Sequence, residues 1–462
     1  MLEALRLSDL LKPLMATLNG VDTHFDSVSI DARTVERGGL FVALAGSRSN
    51  GHDFVAQARE NGAAAAMVEY LVDDPLPQLL VHDCQLALGN LAVLVRKQFT
   101  GTVIGITGSS GKTTVKEMLA AILRECGPVL ATRGNLNNEL GVPLTLLQLT
   151  SEHRFAVIEM GAAQVGDINY SMGLVKPQIS VLANAEMAHV GRFGSPESIA
   201  KAKGEIVSAL PAGGHALLNL DSPWFEQWYQ LLGSRRTASS FSLKNPTAQL
   251  RAEALELDEQ GRPHFNLITP AGGVSVQLQL RGMHNVANAL AAAGAALQAG
   301  ADLSAIAAGL AALAPVDGRG NWTVGLGGAQ IIDDAYNANP ASVIAAIDLL
   351  ASLDGRRVLA LGDMGELGEW AEQSHREAGE HARKVGLDAL YATGRLSALA
   401  VDAFGEQGCL FDSREALVAA LAPTLDANTR VLVKGSRSAG MDTVVAGLLA
   451  PADALNNDNG AS

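Results

Sequence analysis

The sequence predicts an α/β protein with three domains, and three observations support this. Short apolar runs rich in β-branched residues alternate with helical patterns, which is typical of parallel sheets covered by helices. Glycine occurs 48 times while aromatic residues make up only 4% of the chain, a composition that suits many tight strand–helix turns. The chain has 462 residues, and this length predicts more than one hydrophobic core.

The first predicted domain covers residues 1–83. It contains apolar runs at 40–46 and 79–83, with an Ala-rich segment between them, and Pro75 and Pro77 interrupt its end. Because proline limits both helices and central strands, the pattern predicts a small α/β domain that ends near this point.

The second predicted domain covers residues 84–314 and contains a central parallel sheet. Its strand-like runs are short, apolar and β-branched, and helical patterns separate them. The predicted elements are a helix at 84–99, strands at 102–107, 156–161 and 179–184, and Ala-rich helices near 284–299 and 303–313.

The third predicted domain covers residues 315–462 and is expected to be a Rossmann-like α/β domain. Pro315 and the glycines of 315–320 indicate the boundary. Each apolar run ends in Gly, Asp or Ser, where α/β sheets carry their ligand-binding loops. The runs lie at 330–334, 357–363, 389–394 and 430–436.

The charge and the terminus limit the class of partner. The formal net charge is −14, and a nucleic-acid surface needs clustered Lys and Arg, so we expect no nucleic-acid partner. Glu3 and Asp9 occupy a terminus that has no basic region before an apolar core, which predicts no signal peptide. No stretch approaches the ~18 uninterrupted apolar residues of a membrane span.

The three cysteines, Cys84, Cys126 and Cys409, are scattered and have no metal-ligand spacing. A sparse, odd number of cysteines indicates a reducing compartment. We therefore expect a cytoplasmic protein, and we expect it to be a monomer.

The segment TVIGITGSSGKTTVKEM, which begins at Thr102, joins an apolar run to a loop and a helix. In a phosphate loop, backbone N–H groups surround the phosphates, a lysine neutralises them and a Ser or Thr hydroxyl reaches Mg²⁺. Ile106 stands where the first glycine of that motif usually falls, so the match is a variant. A dinucleotide-binding turn is the alternative, but it leaves Lys112 and Thr113 unexplained. The predicted ATP-binding residues of the loop are Gly108, Ser109, Ser110, Gly111, Lys112, Thr113 and Thr114.

A triphosphate site also needs a carboxylate for its metal ion. Glu159 ends the apolar run FAVIE, where an acid of this kind is expected. The alternative is an ordinary acidic residue at the solvated end of a strand.

Several further motifs follow the loop in order, and together they resemble one family. They are TRGNLNNELGVPLTLL (132–147), NAEMAHVGRFGSPESIAKAKGEI (184–206), GMHNVANALAAAGAA (282–296), DGRG (317–320), DDAYNANPASV (333–343), LGDMGELG (361–368) and VKGSRSAGMD (433–442). The combination resembles the Mur ligases, ATP-dependent ligases of peptidoglycan precursor synthesis, and DAYNANP, LGDMGELG and KGSR resemble their MurF branch. SIDARTVERGGLFVALAGSRSNGHDF (29–54) resembles the uridine-nucleotide-binding domain of the family.

The resemblance implies an amide ligase whose cofactors are ATP and Mg²⁺. Its substrates would be a UDP-N-acetylmuramoyl-tripeptide, whose carboxylate is phosphorylated by ATP, and D-alanyl-D-alanine, whose amine attacks the acyl phosphate. Each step builds negative charge, so the site needs fixed cations.

The resemblance also implies roles for individual residues at the phosphate end of the site. Lys112 would hold the β/γ-phosphates, and Thr113 and Glu159 would ligate Mg²⁺. His189 would be a further metal ligand, although a lone histidine is more often structural. Lys203 would be a metal ligand after carbamylation.

Lys201 is a second candidate for the carbamylated position because it lies two residues from Lys203. The alternative for both lysines is a solvated helix face.

At the base and sugar end, the resemblance implies that Asn288 contacts adenine and that Asp334 binds the ribose hydroxyls. Asn285 would contact ATP or cap a helix. Arg319 would reach the γ-phosphate, or be only a solvated linker arginine.

The remaining predicted site residues would bind the two other substrates. Asn135, Asn137 and Asn138 would line the sugar–peptide channel, or only form turns. The candidates for the uridine diphosphate are Ser29, Arg33, Gly46, His52 and Asp53, and those for the dipeptide are Asn337, Asn339, Asp363, Glu366, Lys434 and Arg437.

Two other functions fit part of this pattern. One is another ligase of the same superfamily, such as a neighbouring Mur ligase or a folylpolyglutamate synthase. The other is a non-catalytic, ATP-dependent switch. The uridine-type first block, together with DAYNANP and LGDMGELG, favours the ligase that accepts D-alanyl-D-alanine.

Overall fold

The computed structural model describes residues 3–46, 49–187, 190–258, 260–314 and 318–449. Within them, each of the three predicted domains carries its own main sheet, and the α/β class is confirmed. None of the helices in this described part is long and apolar enough to cross a membrane.

The first block contains a five-stranded sheet of order β2-β7-β6-β5-β4, in which only the β2–β7 pair is antiparallel. Strands β1 and β3 form a small separate ladder. The elements are β1 (Leu5–Arg6), α1 (Leu7–Leu10), β2 (Thr17–Asn19), β3 (His24–Phe25), β4 (Val28–Ser29), β5 (Leu40–Val42), α2 (Val55–Glu60), β6 (Ala65–Val68) and β7 (Gln78–Leu80), with a 3₁₀ turn at Gly51–Phe54.

The central block begins with a long helix. It contains the strands of the second sheet and the helices between them. Its elements are α3 (Cys84–Gln98), β8 (Thr102–Thr107), α4 (Lys112–Arg124), β9 (Val129–Ala131), α5 (Gly141–Leu146), β10 (Phe155–Glu159), α6 (Asp167–Val175), β11 (Ile179–Leu182), α7 (Val190–Phe193), α8 (Pro196–Ser208), β12 (His215–Asn219), α9 (Phe225–Gln230), β13 (Thr237–Ser242), β14 (Leu250–Leu257), β15 (Pro263–Thr269), β16 (Gly272–Gln277), α10 (Met283–Gln298) and α11 (Leu303–Ala312).

The central sheet has the order β16-β15-β14-β13-β12-β11-β8-β10-β9. Its neighbours from β9 to β14 are parallel, as predicted, whereas β15 and β16 add an antiparallel edge that the sequence analysis did not identify. In β15 buried and more exposed residues alternate, which is the pattern of a strand with one solvated face.

The third block contains a six-stranded sheet of order β17-β18-β22-β19-β20-β21, and all pairs except β17–β18 are parallel. The predicted strands of this block end within two residues of the observed ones. The elements are β17 (Asn321–Val324), β18 (Gln330–Asp334), α12 (Pro340–Ala351), β19 (Arg356–Gly362), α13 (Ala371–Lys384), β20 (Ala389–Thr393), α14 (Ser397–Phe404), β21 (Gly408–Phe411), α15 (Arg414–Leu421), β22 (Thr429–Lys434) and α16 (Asp442–Leu448), with 3₁₀ turns at Leu326–Gly328, Gly368–Trp370, Ala422–Thr424 and Arg437–Ala439.

Two hydrophobic clusters cross the predicted boundaries. Leu7 and Met67 of the first block belong to the same buried cluster as Leu88 of α3 and Val103 of β8. The first block therefore packs directly on the central one, through the helix that follows residue 83.

The second shared cluster joins the central and third blocks. Val190 and Phe193 of α7 pack with Leu361 and Met364, which lie at the carboxyl end of β19. The domain boundaries at 83/84 and 314/315 stay predictions. The blocks on either side of each boundary are in apolar contact.

Candidate active site

A cleft of about 1010 Å³ lies between the central and third blocks, at the carboxyl ends of strands from both sheets. Cavities of this size commonly bind ligands in α/β proteins. Predicted site residues that line it are Ser109, Ser110, Gly111, Lys112, Thr113, Thr114, Asn135, Asn137, Asn138, Glu159, Lys203, Asn285, Asn288, Arg319, Asp334, Asn337, Asn339 and Lys434.

The loop between β8 and α4 has the backbone that a phosphate loop requires. Gly111 caps α4 with a φ of +74°, a conformation that favours glycine. A Cβ at Gly111 would also come within 2.5 Å of Asn288 Oδ1. The start of α4 therefore faces the cleft with its N–H groups, and the helix dipole favours an anion there.

Lys112 turns back onto its own loop. Its Nζ donates to the carbonyl oxygens of Gly108 at 2.7 Å and Ser109 at 3.1 Å. Burial lowers the pKa of Lys112, and the carboxylates of Glu159 and Glu186 oppose this effect. An arriving phosphate would offer this cation a stronger partner than the two carbonyls.

Asn184, which the sequence analysis did not select, holds the phosphate loop from the neighbouring strand β11. Its Oδ1 accepts from the backbone N of Ser109 at 2.9 Å and of Ser110 at 3.0 Å. Its Nδ2 donates to Ser110 O at 3.2 Å. The position could have been identified, because Asn184 ends the predicted strand at 179–184 in the same way that Glu159 ends FAVIE.

Glu186 is a second residue that the sequence analysis missed. Ser110 Oγ donates to Glu186 Oε2 at 2.5 Å, and Ser109 Oγ donates to the Glu186 carbonyl at 2.9 Å. Burial raises the pKa of Glu186, although Ser110 and Lys112 favour its charged form. The loop is thus held from one side by an amide and from the other by a carboxyl group.

The residues proposed for Mg²⁺ lie together behind the loop. Thr113 Oγ1 donates to Glu159 Oε2 at 3.0 Å, and Asn137 Nδ2 donates to Glu159 Oε1 at 2.7 Å. Glu159 is only 1% exposed, so the alternative of a solvated strand-end acid is wrong.

The oxygens of Thr113 and Glu159 fit Mg²⁺. Two adjacent ligands of an octahedral ion at ~2.1 Å lie ~3.0 Å apart. Thr113 Oγ1 and Glu159 Oε2 are separated by 3.0 Å. No group of three His, Cys, Asp or Glu side chains suited to a metal occurs among the residues that the structure covers. Mg²⁺ commonly uses one or two protein carboxylates together with phosphate oxygens and water, so the smaller set suffices.

The two lysines of α8 differ sharply. Lys203 is 3% exposed and lines the cleft, whereas Lys201 points to solvent. Burial and the nearby charge of Lys112 lower the pKa of Lys203 to about 7. The solvated-face alternative is therefore wrong for Lys203 and holds for Lys201.

Lys116 is a buried lysine of α4 that the sequence analysis did not consider. Its Nζ donates to Thr132 O at 2.6 Å and pairs with Glu117 at 2.8 Å. Thr132 Oγ1 in turn accepts from the backbone N of Glu159 at 3.0 Å. Lys116 thus supports the strand end that carries Glu159.

The predicted base-binding residues line the cleft at the start of α10, where Asn288 lies next to Gly111 of the phosphate loop. Asn288 Nδ2 donates to Asn285 Oδ1 at 3.1 Å, and Asn285 Nδ2 donates to Arg281 O at 2.7 Å. Gly282, and not Asn285, is the N-cap of α10, so the helix-capping alternative for Asn285 is wrong.

In the third block, Lys434 is nearly buried and joins two predicted site residues. Its Nζ donates to Asp334 Oδ2 at 2.5 Å and to Asn337 O at 3.0 Å. Asn339 also lines the cleft, but its side chain accepts from Ser342 N at 2.9 Å and caps α12. Asn339 therefore has a structural role in this arrangement.

Three predicted residues of the third block do not line the cleft. Asp363 accepts from both the backbone N and the Oγ of Ser397 at 2.7 Å, next to a separate small cavity. Glu366 pairs with Arg192 of α7, and the Arg437 guanidinium lies over the ring of Tyr336. Their roles toward a substrate stay predictions.

The three asparagines between residues 135 and 138 have different contacts, and one of them forms a turn. All three line the cleft, but only Asn137 reaches Glu159. Asn138 Oδ1 accepts from Gly141 N at 2.9 Å, so the turn-forming alternative describes Asn138.

The predicted residues of the first block lie outside the cleft. Ser29 Oγ accepts from Asp31 N at 3.1 Å, and Arg33, with 77% of its side chain exposed, pairs with Asp31 at 2.7 Å. This pairing lowers the pKa of Asp31 to about 2. Gly46 and Asp53 are exposed.

His52 belongs to the packing of the first block. Its Nδ1 lies 2.8 Å from Asn50 Oδ1, its Nε2 accepts from Glu69 N at 2.8 Å, and its ring stacks on Tyr70. Both ring nitrogens therefore bind the protein itself, which speaks against hydrogen bonds from His52 to a ligand. The predicted metal ligand His189 lies outside the described residues.

Comparison with family models gives three consecutive matches. Residues 24–81 match the Mur ligase family catalytic domain, residues 106–296 match the Mur ligase middle domain, and residues 318–437 match the Mur ligase glutamate ligase domain.

Individual proteins match along almost the whole chain. The chain is 44% identical to UDP-N-acetylmuramoyl-tripeptide–D-alanyl-D-alanine ligase of Escherichia coli (strain K12), covering 96% of this chain and 98% of that protein. A crystal structure of MurF from Acinetobacter baumannii is 36% identical with a TM-score of 0.91, over 96% of this chain and 98% of that one. The MurF ligase of Thermotoga maritima, solved in complex with ADP, is 30% identical with a TM-score of 0.81, over 91% and 96% of the two chains.

Proposed function

Because this chain belongs to the Mur ligase family, we propose that it joins D-alanyl-D-alanine to a UDP-N-acetylmuramoyl-tripeptide at the expense of ATP. The observation that carries the proposal is the single cleft in which a phosphate loop, a buried carboxylate and the buried Lys203 meet polar side chains of the third block. This arrangement brings ATP and a carboxylate acceptor into one site.

In the first step, a carboxylate oxygen of the tripeptide attacks the γ-phosphorus of ATP. The new P–O bond gives an acyl phosphate, and the broken P–O bond leaves ADP. Lys112 leaves the carbonyls of its loop and neutralises the β/γ-phosphates, while the N–H groups of the loop and of α4 hold the remaining oxygens.

Thr113 and Glu159 would hold Mg²⁺, which supplies charge neutralisation for the phosphates when bound. Asn137 and Lys116 keep these ligands in place, the first by a direct hydrogen bond and the second through Thr132. Loss of supporting contacts of this kind typically costs about 10- to 100-fold in metal affinity or activity.

Lys203 would react with CO₂ through its unprotonated amine to form a carbamate, with release of one proton. Its pKa of about 7 keeps a large share of the amine unprotonated near neutral pH. The carbamate would replace a buried cation by an anion that faces the metal site.

In the second step, the amine of D-alanyl-D-alanine attacks the acyl carbon. The tetrahedral intermediate collapses to the amide, with inorganic phosphate as the leaving group and loss of one proton from the attacking nitrogen. Arg319 would stabilise the charge on the transferred phosphoryl group, and Lys434 with Asn337 would orient the groups of the third block near the dipeptide.

The other assignments concern the base and sugar of ATP, inside the cleft, and the uridine diphosphate, outside it. Asn285 and Asn288 would read the adenine, Asp334 the ribose, and the 29–53 region of the first block the uridine diphosphate. Closure of the three blocks would exclude water from the acyl phosphate. The enzyme would act as a cytoplasmic monomer.

Product analysis by mass spectrometry tests the proposal. The purified chain is incubated with ATP, Mg²⁺, a panel of UDP-muramoyl peptides and a panel of amino acceptors. We expect an amide product and phosphate release only when both the UDP-tripeptide and D-alanyl-D-alanine are present. Phosphate release without either substrate would instead support an ATP-dependent switch, and a product with glutamate or another acceptor would identify a neighbouring ligase.

A further inference from the structure

Tyr336 is a residue of the cleft to which the sequence analysis gave no role. It follows β18 in the segment DAYNANP and lines the cleft between the central and third blocks. The guanidinium carbon of Arg319 lies 4.4 Å from the centre of its ring, and that of Arg437 lies 5.9 Å away. Both distances are within the range of a cation–π contact.

The backbone fixes the arginine that is nearer the ring. Tyr336 N donates to Gly318 O at 3.2 Å, and Gly320 N donates to Asp333 O at 2.8 Å. Gly318 has a φ of +69°, and a Cβ there would lie 3.2 Å from Tyr336 Cβ. The turn that carries Arg319 is therefore tied to both sides of the end of β18.

An aromatic partner has a particular advantage for these two arginines. A carboxylate would hold a guanidinium through its N–H groups and would cancel its charge. A ring face holds the cation by its quadrupole and leaves the N–H donors in the guanidinium plane available for another anion.

We propose that Tyr336 is a positioning residue whose ring holds Arg319 and Arg437 together, so that one can bind the transferred phosphoryl group and the other the carboxylate of the incoming dipeptide. The inference rests on the proposed function, because it needs an ATP phosphate in the cleft and a dipeptide carboxylate at Arg437, which lies beside the cleft and not in its lining. It adds a physical link between the two substrates, since both cations share one ring.

The test varies the electron density of the ring while its shape is kept. Tyr336→Phe is made first, and then phenylalanines with one, two and three ring fluorines are placed at position 336 in the full chain by nonsense suppression. Fluorine weakens the ring quadrupole with little change in size. Tyr336→Leu removes the ring, and Tyr229→Phe and Tyr229→Leu are matched controls, because exposed Tyr229 stacks on Phe225 outside the cleft.

For each protein, kcat and the KM values for ATP, UDP-tripeptide and D-alanyl-D-alanine are measured, with thermal unfolding as the check on folding. We expect Tyr336→Phe to stay within about twofold of the wild type, and the fluorinated series to lose kcat/KM for the dipeptide stepwise. Loss of the whole ring should cost roughly 3- to 30-fold. The KM for UDP-tripeptide should not change.

If the wild type is active but kcat/KM for the dipeptide does not change along the fluorinated series, the role of Tyr336 is overturned. The proposed function then remains intact. Loss of activity in Tyr336→Phe equal to that in Tyr336→Leu would also overturn it, because the hydroxyl and not the ring face would then matter. A wild type that forms no amide product would overturn the proposed function itself.

Discussion

The phosphate-loop region and the Tyr336 region form opposite walls of one cleft, and they are held together in different ways. Thr113 and Glu159 are buried, Lys112 is partly buried, and all three are hydrogen-bonded to neighbouring groups of the same block. Arg319 and Tyr336 are only partly buried, and ring contacts hold the cation.

The difference indicates that ATP binding and domain closure make different demands on the structure. The phosphate-loop wall is already in place, so a ligand there exchanges existing hydrogen bonds for new ones. The opposite wall depends on weaker contacts that can rearrange as the blocks close. Substitutions in the first wall should therefore have larger effects than substitutions in the second, and the following experiments test that order.

The largest effect is expected for Lys112→Ala. It removes the cation that neutralises the triphosphate, and kcat/KM for ligation should fall by roughly 10³-fold. Steady-state phosphate release and thermal unfolding are measured together, because the fold should remain intact. Lys97→Ala, at the exposed end of α3, is the matched control. Near-normal ligation by Lys112→Ala at saturating ATP would contradict the phosphate-loop assignment.

A smaller but still large effect is expected for Lys203→Ala, with Lys201→Ala as its neighbour on the same helix. Loss of the proposed carbamate should lower ligation by roughly 10²-fold, and acetate should restore part of the activity by supplying a carboxylate. Lys201→Ala should be near wild type, because that side chain faces solvent.

The Lys203 assignment also has a pH dependence. Protonation of the amine prevents its reaction with CO₂, so wild-type activity at low CO₂ should fall as the pH drops below about 7, and added bicarbonate should oppose the loss. Equal activity of both lysine variants, or a pH profile that does not respond to bicarbonate, would show that Lys203 is not carbamylated.

An intermediate effect is expected for Asn184→Ala. This change removes the side chain that accepts from Ser109 N and Ser110 N, and the KM for ATP should rise roughly 5- to 20-fold. Initial rates over a range of ATP concentrations give this value. Asn61→Ala, which loses a hydrogen bond to Ala32 O in the first block, should affect only stability. An unchanged KM for ATP would mean that the loop keeps its shape without Asn184.

The smallest effect is expected for Arg192→Ala, which breaks the ion pair with Glu366 between the central and third blocks. Both side chains are largely accessible, so kcat should fall by only about two- to fivefold, and less at high salt. Arg59→Ala breaks the Asp74 pair inside the first block and should leave kcat unchanged. A loss for Arg192→Ala as large as that for Lys112→Ala would show that this contact between the blocks matters as much for ligation as the phosphate loop.

The sequence identified the phosphate-loop wall well because its residues are adjacent in one motif at a strand–helix turn. It also located four strands of the third block within two residues, among them those whose ends carry Asp334 and Lys434, but it did not predict β17 and β21. Local periodicity and turn chemistry act over a few positions and are visible in a single chain.

What the sequence did not reveal depends on pairs that are distant along the chain. Asn184 reaches Ser109 across two neighbouring strands, and Lys116 acts on Glu159 through Thr132. The antiparallel edge of β15 and β16 is not part of the predicted sheet, because β15 alternates buried and more exposed residues and has no continuous apolar run. Burial separated Lys203 from Lys201, and the sequence does contain a signal for it, because the helical spacing from Ile199 and Ile206 puts Lys203 on the buried face of α8.

The contact between Gly191 and Gly368 has a consequence for experiments on closure. A Cβ at Gly191 would lie 2.6 Å from Gly368 N, and one at Gly368 would lie 2.8 Å from Gly191 Cα. Main chain thus touches main chain where the central and third blocks meet, with no side chain between them. A single methyl group at position 191 would separate the two main chains by a known distance. A series of larger side chains there would measure how far the cleft must close before the amide forms.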